Sequence, residues 1–386
     1  MNTPLTWAEI DLNAYAHNIK ELRRITHSNA RLMAVVKADG YGHGALEVAR
    51  EALQNGAEWL GVARIDEAIR LRRQGLVAPI LIFGYTPPDL AKQIIEFDLI
   101  PTVYSFATAE ILSANARSIG KTIGVHVKVD SGMGRLGLLP DTLVSRNKSK
   151  DMKNGAVREI ESISKLAGLH IDGIFTHFAT ADSADTSYAK KQLEIFLDFI
   201  DQVRGSGLEP FLIHAANSAA LLQLPESHLD MVRPGIATYG LWPSEEMNKM
   251  QAELKPAMAL KSKIIHLKKV PVGFNVSYGI TYQTQHPTTI ATVPVGYADG
   301  YNRMLSSRGH MLVHGKKVPI VGRVCMDLTM LDVGRLSNVN IEDEVVIFGQ
   351  QGNASITADE IASRLNTINY EIVCTITARV PRVYIR

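Results

Sequence analysis

A lysine stands where an apolar run gives way to glycines in "LMAVVKADGYGHG", Leu32–Gly44. Period-two alternation over Met33–Lys37 puts Met33, Val35 and Lys37 on one face of a strand. At the C-terminal end of a barrel strand, such an ammonium group opens onto the face where catalysis occurs and is partly desolvated. Desolvation lowers a lysine's pKa and frees the amine to form a Schiff base with a carbonyl. A lysine that snorkels out to solvent fits the same strand equally well. The residues that follow shift the balance toward chemistry. "ADGYGHG" lets the backbone turn sharply before a helix expected to start near His43, and a helix N-terminus offers unpaired N–H groups to an anion. Tyr41 can lean back over the mouth of the barrel.

The elements that must hold this lysine are legible as a repeat of short apolar runs and helical patterns. Strands are expected at Met33–Lys37, Leu60–Ala63, Ile80–Gly84, Ile100–Tyr104, Val125–Val129, Gly173–His177, Phe211–His214 and Met231–Arg233. Between them lie segments such as Ser187–Arg204, with apolar residues at helical spacing. Eight strands separated by helices predict a (β/α)8 barrel; a doubly wound sheet usually has fewer. After Trp242 the texture changes to strands joined by Gly/Pro turns. The chain therefore divides into a barrel over 1–242, whose first few residues can pack on the β domain, and a mainly β domain over 243–386. In the latter, Thr357 with Glu360 three residues on marks a helix start. The polar, basic stretch Ser145–Gly155 is expected to be a solvated loop.

Composition narrows the function. The 386 residues are 46% hydrophobic and 21% charged, enough for a sizeable core, and the formal net charge of +2 gives no sign of a nucleic-acid or membrane-surface partner. Cys325 and Cys374 match no metal-ligand spacing, so no metal is expected and a reduced setting is the simpler one. With no apolar h-region near the start and no run of the roughly 20 residues that span a bilayer, a cytoplasmic protein is expected.

"AVVKADGYGHG" resembles the cofactor-lysine segment of the alanine racemases, enzymes dependent on pyridoxal 5′-phosphate (PLP). The resemblance continues in order through "KVDSGMGRLG", "THFATAD", "HAANSAA", "VRPGIATYG", "VSYGITY", "VGYADGY", "GRVCMD" and "INYEIVCT". Nine collinear motifs over nearly the whole chain are specific, and they imply a barrel followed by a β domain. Barrels often bind phosphate with the loops after strands seven and eight, here "HAANS" and "RPGIA". That rule puts phosphate near Ser218, Gly235 and Ile236, and the resemblance assigns the same residues together with Tyr41. It also implies Lys37 as the cofactor lysine and as base on one face of a planar carbanion. It makes Tyr278 the base on the other face, supported by His177 and Arg233, with Arg233 facing the pyridine nitrogen. Arg135 is implied to serve the cofactor's phenolic oxygen and the substrate carboxylate, and Lys128 to be a lysine that carries a carbamate in many relatives. Tyr278, Tyr297 and Met326 are implied to reach the site from a second copy, which makes the protein an obligate homodimer with two shared sites.

The expected activity is interconversion of L- and D-alanine, supplying D-alanine for peptidoglycan. One position departs from the family pattern. Where relatives commonly have tyrosine, "TARVPR" has Ala378, which removes a ring and a hydroxyl from near the phosphate. A racemase of serine or of a broader set of amino acids is the alternative that Ala378 favours. A non-catalytic PLP-homeostasis protein would resemble the barrel alone, and the β domain with Tyr278 argues against it.

Overall fold

A computed structural model describes residues 4–144, 155–209 and 212–386. All but Gly155 of the expected loop Ser145–Gly155 lies outside the described residues, as does Phe211 at the start of the seventh expected strand. Gly155 itself begins a helix, Gly155–Ser164. The chain forms two compact units, residues 15–40 with 45–255, and residues 4–14 with 41–44 and 256–386.

The first unit is a barrel. Strand β1 (Thr6–Asp11) belongs to the other unit, and the barrel strands are β2 (Arg31–Val35), β3 (Trp59–Val62), β4 (Ile80–Ile82), β5 (Ile100–Val103), β6 (Ile123–Lys128), β7 (Leu169–Phe175), β8 (Leu212–His214) and β9 (Met231–Val232). They pair in parallel in the order β8-β7-β6-β5-β4-β3-β2-β9. Such strands are covered on both faces, which is why they read as continuous apolar runs. Side chains fill the interior: Met33, Trp59, Leu81, Leu212 and Met231 pack together there. Between β8 and β9 the seam is held by Asp230, whose N–H donates to Ile213 O at 3.0 Å while its Oδ2 accepts from Ile213 N at 2.8 Å. The N–H of Arg233 donates to Ala216 O just beyond, at 3.0 Å. Outside lie helices such as Ser187–Gly205, which buries Leu193, Phe196, Phe199, Ile200 and Val203 on one face.

The second unit is mainly β. Strands β10 (Met258–Lys263), β11 (His266–Val270), β12 (Asn275–Val276), β13 (Tyr282–Gln283), β14 (Thr288–Val293), β15 (His310–Val313), β16 (Lys316–Pro319), β17 (Thr329–Asp332), β18 (Glu344–Gln351), β19 (Ala354–Ile356) and β20 (Arg382–Ile385) follow in sequence. One sheet runs β16-β15-β18-β10-β1-β20 with β19 on β18; a second runs β11-β14-β17; β12 and β13 form a short pair. β1 is antiparallel to β10 and parallel to β20, so the start and end of the chain meet in one sheet. Helix Ala358–Leu365 is capped by Thr357, whose hydroxyl accepts from Glu360 N at 3.0 Å. The Glu360 carboxylate does not close a reciprocal box but pairs with Lys317 and Arg364.

The structure corrects the reading of the lysine strand. β2 ends at Val35, and Lys37 begins a short turn, Lys37–Tyr41, rather than finishing the strand. The next helix starts at Ala45, not His43.

Candidate active site

The turn after β2 is left-handed. Ala38, Asp39, Gly40 and Tyr41 all have φ between +51° and +63°. For each non-glycine residue this conformation costs roughly 1–2 kcal/mol, so other bonds must hold it. Glu67 does much of this. Its Oε1 accepts from Ala38 N at 2.6 Å, and its Oε2 accepts from Ala63 N at 2.8 Å and Arg64 N at 3.1 Å. Asp39 Oδ1 accepts from Ala45 N at 3.1 Å, joining the turn to the next helix. Lys37 is thereby aimed by a backbone that is fixed on both sides. Tyr41, within the β unit, is buried with its ring 6.2 Å from that of Tyr370. Gly42 is obligatory there, since a Cβ would come within 2.2 Å of Val373 O.

Across the barrel mouth the charges are nearly all positive. His177 follows β7, Lys128 ends β6, Arg135 lies in the loop after it, and Arg233 follows β9. Lys128, Arg233, Arg135 and Lys37 all act electrostatically on His177, so these four basic side chains converge on one region. Lys128 is buried, its Nζ 4.4 Å from the centroid of the Phe175 ring. Burial first, then Arg233 and Arg135, hold its pKa well below the usual lysine value, and Asp130 opposes this only weakly. That carboxylate is already committed. It accepts the N–H groups of Gly132, Met133, Gly134 and Arg135 at 2.8–3.1 Å. Burial raises its pKa, but these bonds outweigh burial and leave it below the usual range.

Arg233 is the hub. Its NH1 donates to His214 Nδ1 at 2.8 Å, and its NH2 donates to Thr176 O at 2.8 Å and Ala215 O at 3.0 Å. His177 Nδ1 lies 3.4 Å from NH2. Three of the five guanidinium donors are thus committed to the barrel. Burial lowers the Arg233 pKa to about 9, which still leaves it protonated at neutral pH.

Ser218 opens a short helix, Ser218–Gln223, and is buried. Its Oγ accepts from Gly235 N at 2.8 Å and Ala237 N at 3.3 Å, which folds the loop after β9 onto the loop after β8. Gly235 N–H therefore spends itself on Ser218, while the serine keeps its own O–H to donate. Ile236 starts the buried turn Ile236–Tyr239 that follows, and Tyr239 O–H donates to Val35 O at 3.0 Å. Ser218, Gly235 and Ile236, three of the residues expected at the phosphate, are brought together with the end of β2. A set of convergent cations, one spent carboxylate and a free serine proton suits an anionic ligand such as PLP.

Tyr278, Tyr297 and Met326 all belong to the β unit. Tyr278 is 72% exposed on a strained turn, with Ser277, Gly279 and Ile280 at φ of +66°, +70° and +50°. Ser277 O–H ties that turn down by donating to Arg323 O at 2.9 Å. Tyr278, Cys325 and Met326 line a cleft of about 580 Å³. The N–H of Tyr297 donates to Cys325 O, and that of Ala298 to Met326 O, both at 3.0 Å. Gly296 permits this approach; a Cβ there would sit 2.2 Å from Met326 O. Ala378 is exposed, and its neighbour Arg379 pairs with Asp327 and Asp299.

Four residues of the barrel site escaped the sequence reading: Glu67, Asp130, His126 and His214. The "DSGMG" run was a signal for Asp130, because an aspartate before glycines commonly caps its own turn. No local signal marks His126, which sits inside an apolar strand like an ordinary core residue; His214 opens the "HAANSAA" motif, but nothing there distinguishes it from the end of the strand.

These histidines predict a pH dependence of stability. Burial, with Arg233 secondary, holds His126 at about 3, and burial followed by neighbouring cations holds His177 and His214 well below 6.5. On unfolding each regains an ordinary affinity, so the unfolded chain binds more protons below about pH 6.5. Their contribution is complete above that pH and is lost as pH falls, with a limiting slope of about 1.4 kcal/mol per unit for each histidine. Urea unfolding between about pH 5.5 and about pH 7.5 should show stability rising with pH. His126→Phe should flatten the rise, and a pH-independent wild type would contradict the burial of neutral histidines.

Comparison with known proteins agrees with this geometry. Residues 10–243 match the family described as alanine racemase, N-terminal domain, and residues 257–384 match alanine racemase, C-terminal domain. The chain is 55% identical over 384 residues to an alanine racemase of Desulfosudis oleivorans, covering 100% of this chain and 97% of that one. It is 49% identical over 385 residues to that of Desulforamulus reducens, covering 100% of both. Among solved structures it is similar to an alanine racemase of Clostridium difficile 630, with TM-score 0.92 and 40% identity, covering 100% of this chain and 97% of that one. The enzyme of Bacillus anthracis with bound L-Ala-P gives TM-score 0.90 and 39% identity, covering 100% and 96%. Matched over both domains and its full length, the chain belongs to the alanine racemases, a family of isomerases.

Proposed function

We propose that the chain interconverts L- and D-alanine with PLP, as a homodimer whose two copies complete each other's sites, and that its D-alanine supplies peptidoglycan from the cytoplasm. The observation that carries the reading is the convergence of Lys37, Lys128, Arg135 and Arg233 on His177, where the carboxylate Asp130 is already saturated by backbone N–H groups. Rescue of a bacterium that requires D-alanine checks the cell-wall role; failure to rescue despite activity in vitro counts against it.

When bound, PLP withdraws electrons from the amino-bearing carbon of the substrate and so acidifies its Cα–H. Lys37 anchors the cofactor, then moves a proton to or from Cα on one face. Tyr278 of a second copy does so on the other face. A free phenol has a pKa near 10, so only about one in a thousand is ionised at neutral pH. His177 supplies the help it needs. With Arg233 at Nδ1, the neutral imidazole carries its proton on Nε2 and offers it to the phenolic oxygen. Arg233 would offer its remaining donors to the pyridine nitrogen of a bound cofactor and, staying protonated, would keep that nitrogen from taking a proton. An arginine in that place would favour return of a proton to Cα over transamination. Ser218, Tyr41 and the turn at Gly235 and Ile236 hold the phosphate. Arg135 and the Met326 N–H orient the substrate carboxylate, and Tyr297 lines the entrance.

Sharing is tested with two individually dead chains. Lys37→Ala and Tyr278→Phe should each abolish racemisation as homodimers. A mixed dimer of the two should regain one working site of its two, and no recovery would contradict the shared arrangement.

Lys128 is proposed to carry a carbamate. Its amine is buried among cations with a lowered pKa, and the neutral amine is the form that attacks CO2. The amine nitrogen bonds to the carbon of CO2, one C=O π pair moves to oxygen and the nitrogen releases one proton, so a neutral amine beside Arg135 becomes an anion that orients it. Enzyme equilibrated with 13C-labelled bicarbonate should show one carbamate resonance that Lys128→Ala removes; no such resonance would refute the modification.

Ala378 favours a second reading, a broader substrate range including serine. A tyrosine hydroxyl there could make a charge-assisted bond to the phosphate worth roughly 1.5–3 kcal/mol. Ala378→Tyr should slow PLP loss on dialysis and raise the alanine-to-serine ratio of kcat/KM. A folded variant that changes neither would show that the missing ring has no bearing on the site.

A further inference from the structure

Behind Arg233 the barrel holds a second layer of polar groups that the proposed reaction does not use. His214 ends β8, and His126 sits in β6 with its Nδ1 2.9 Å from His214 Nε2. Both are wholly buried. The His214 ring stacks on Phe175 at 4.9 Å with an interplanar angle of 1°, and His126 tilts against Trp59. The fold makes deliberate room for His126. The β6–β7 register shifts between Val125 and His126, and the residue opposite is Gly173. A Cβ on Gly173 would lie 2.7 Å from His126 Cε1 and 2.8 Å from Leu212 O. The extra residue of this bulge, Asp172, and the glycine beside it both lie on β7, and together they make room for the His126 ring.

Proton accounting fixes the direction of the chain. A guanidinium has donors and no acceptor, so His214 Nδ1 must accept from Arg233 NH1. A neutral His214 then carries its proton on Nε2 and donates to His126 Nδ1. His126 is left with its proton on Nε2, an atom that is buried and meets no hydrogen-bond partner among the described residues. Of the facing basic groups, Arg233 is positive and Lys128 is buried with its pKa well below the usual lysine value; both histidines are held neutral, by burial first and by Arg233 second. All the bonds therefore point one way, from the guanidinium into the core, and end on a histidine rather than on a carboxylate. A carboxylate at the end would pull Arg233 inward as an ion pair. A neutral acceptor fixes its orientation without neutralising it.

We propose that His126 is a positioning residue that acts through His214 to hold Arg233 in its orientation while leaving the guanidinium's charge for a ligand at the barrel mouth. The proposal rests on the reading that Arg233 serves the cofactor ring.

The test has two parts. Magic-angle-spinning 15N spectra of histidine-labelled full-length protein, with and without PLP, report the protonation of each ring nitrogen. His126→Leu and His214→Leu variants assign the resonances. Both Nδ1 atoms should be unprotonated and both Nε2 atoms protonated from about pH 5 to about pH 9. A protonated Nδ1 or an imidazolium at either residue in that range overturns the chain. In the second part, His126→Asn keeps a side-chain acceptor for His214 whereas His126→Leu removes it. The leucine variant should lose about tenfold in kcat at unchanged KM, and the asparagine variant should recover most of it. Equal losses in the two, or full activity in both, overturn the positioning role. An Arg233→Leu control separates the failures: normal turnover there would mean that the role of Arg233 has failed rather than the chain behind it.

Discussion

One buried guanidinium ties the site to the barrel. Arg233 joins the ends of three neighbouring strands through Thr176 O, Ala215 O and His214 Nδ1. It does so at the β8–β9 seam, where Asp230 holds Ile213 on both its N–H and its C=O. A charge taken out of water is expensive unless hydrogen bonds replace its hydration. Here carbonyls and an imidazole do that without cancelling the charge. The same residue thus secures the fold and leaves a positive field at the mouth. Arg135 and Lys37 add to that field. Cations gathered with so little countercharge favour an anion that completes them.

The second constraint is backbone strain. A left-handed turn with three non-glycine residues follows Lys37. Glu67, two elements away in sequence, offsets it by accepting three backbone N–H groups. A comparable device recurs in the β unit, where Tyr278 stands on a turn with positive φ at Ser277 and Ile280 and Ser277 bonds to Arg323 O. Both residues proposed as bases stand on or beside backbone held in a sparsely populated conformation, which aims a side chain more narrowly than a regular strand would.

Much of the barrel was legible because its strands are buried on both faces and its helices on one, so apolar runs and helical spacing alternate along the chain. The turn at Lys37 was not, because alternation in "MAVVK" continues through a residue that has already left the strand. Nothing local reveals that Ala38 and Asp39 adopt positive φ. Strand β1 was legible only as first residues that can pack on the β domain, and its place in the sheet was hidden for another reason. Its partners, at Met258–Lys263 and Arg382–Ile385, lie more than two hundred residues away. The residues at the barrel mouth were legible through motif resemblance and through the rule that barrel chemistry sits where strands end. His126 and His214 were hidden because a histidine in an apolar strand has the same sequence signature whether it fills space or relays a hydrogen bond.

The claim on which the account rests is that the barrel mouth holds an anionic aldehyde cofactor with Lys37 as its covalent anchor. Reduction of PLP-loaded protein with borohydride, then trypsin and mass spectrometry, tests it most directly. A modified Lys37 resists trypsin, so the account predicts the reduced cofactor's mass on a single peptide, Leu32–Arg50, uncleaved at Lys37. The mass on Lys128 or on any other lysine, or on none, would contradict it.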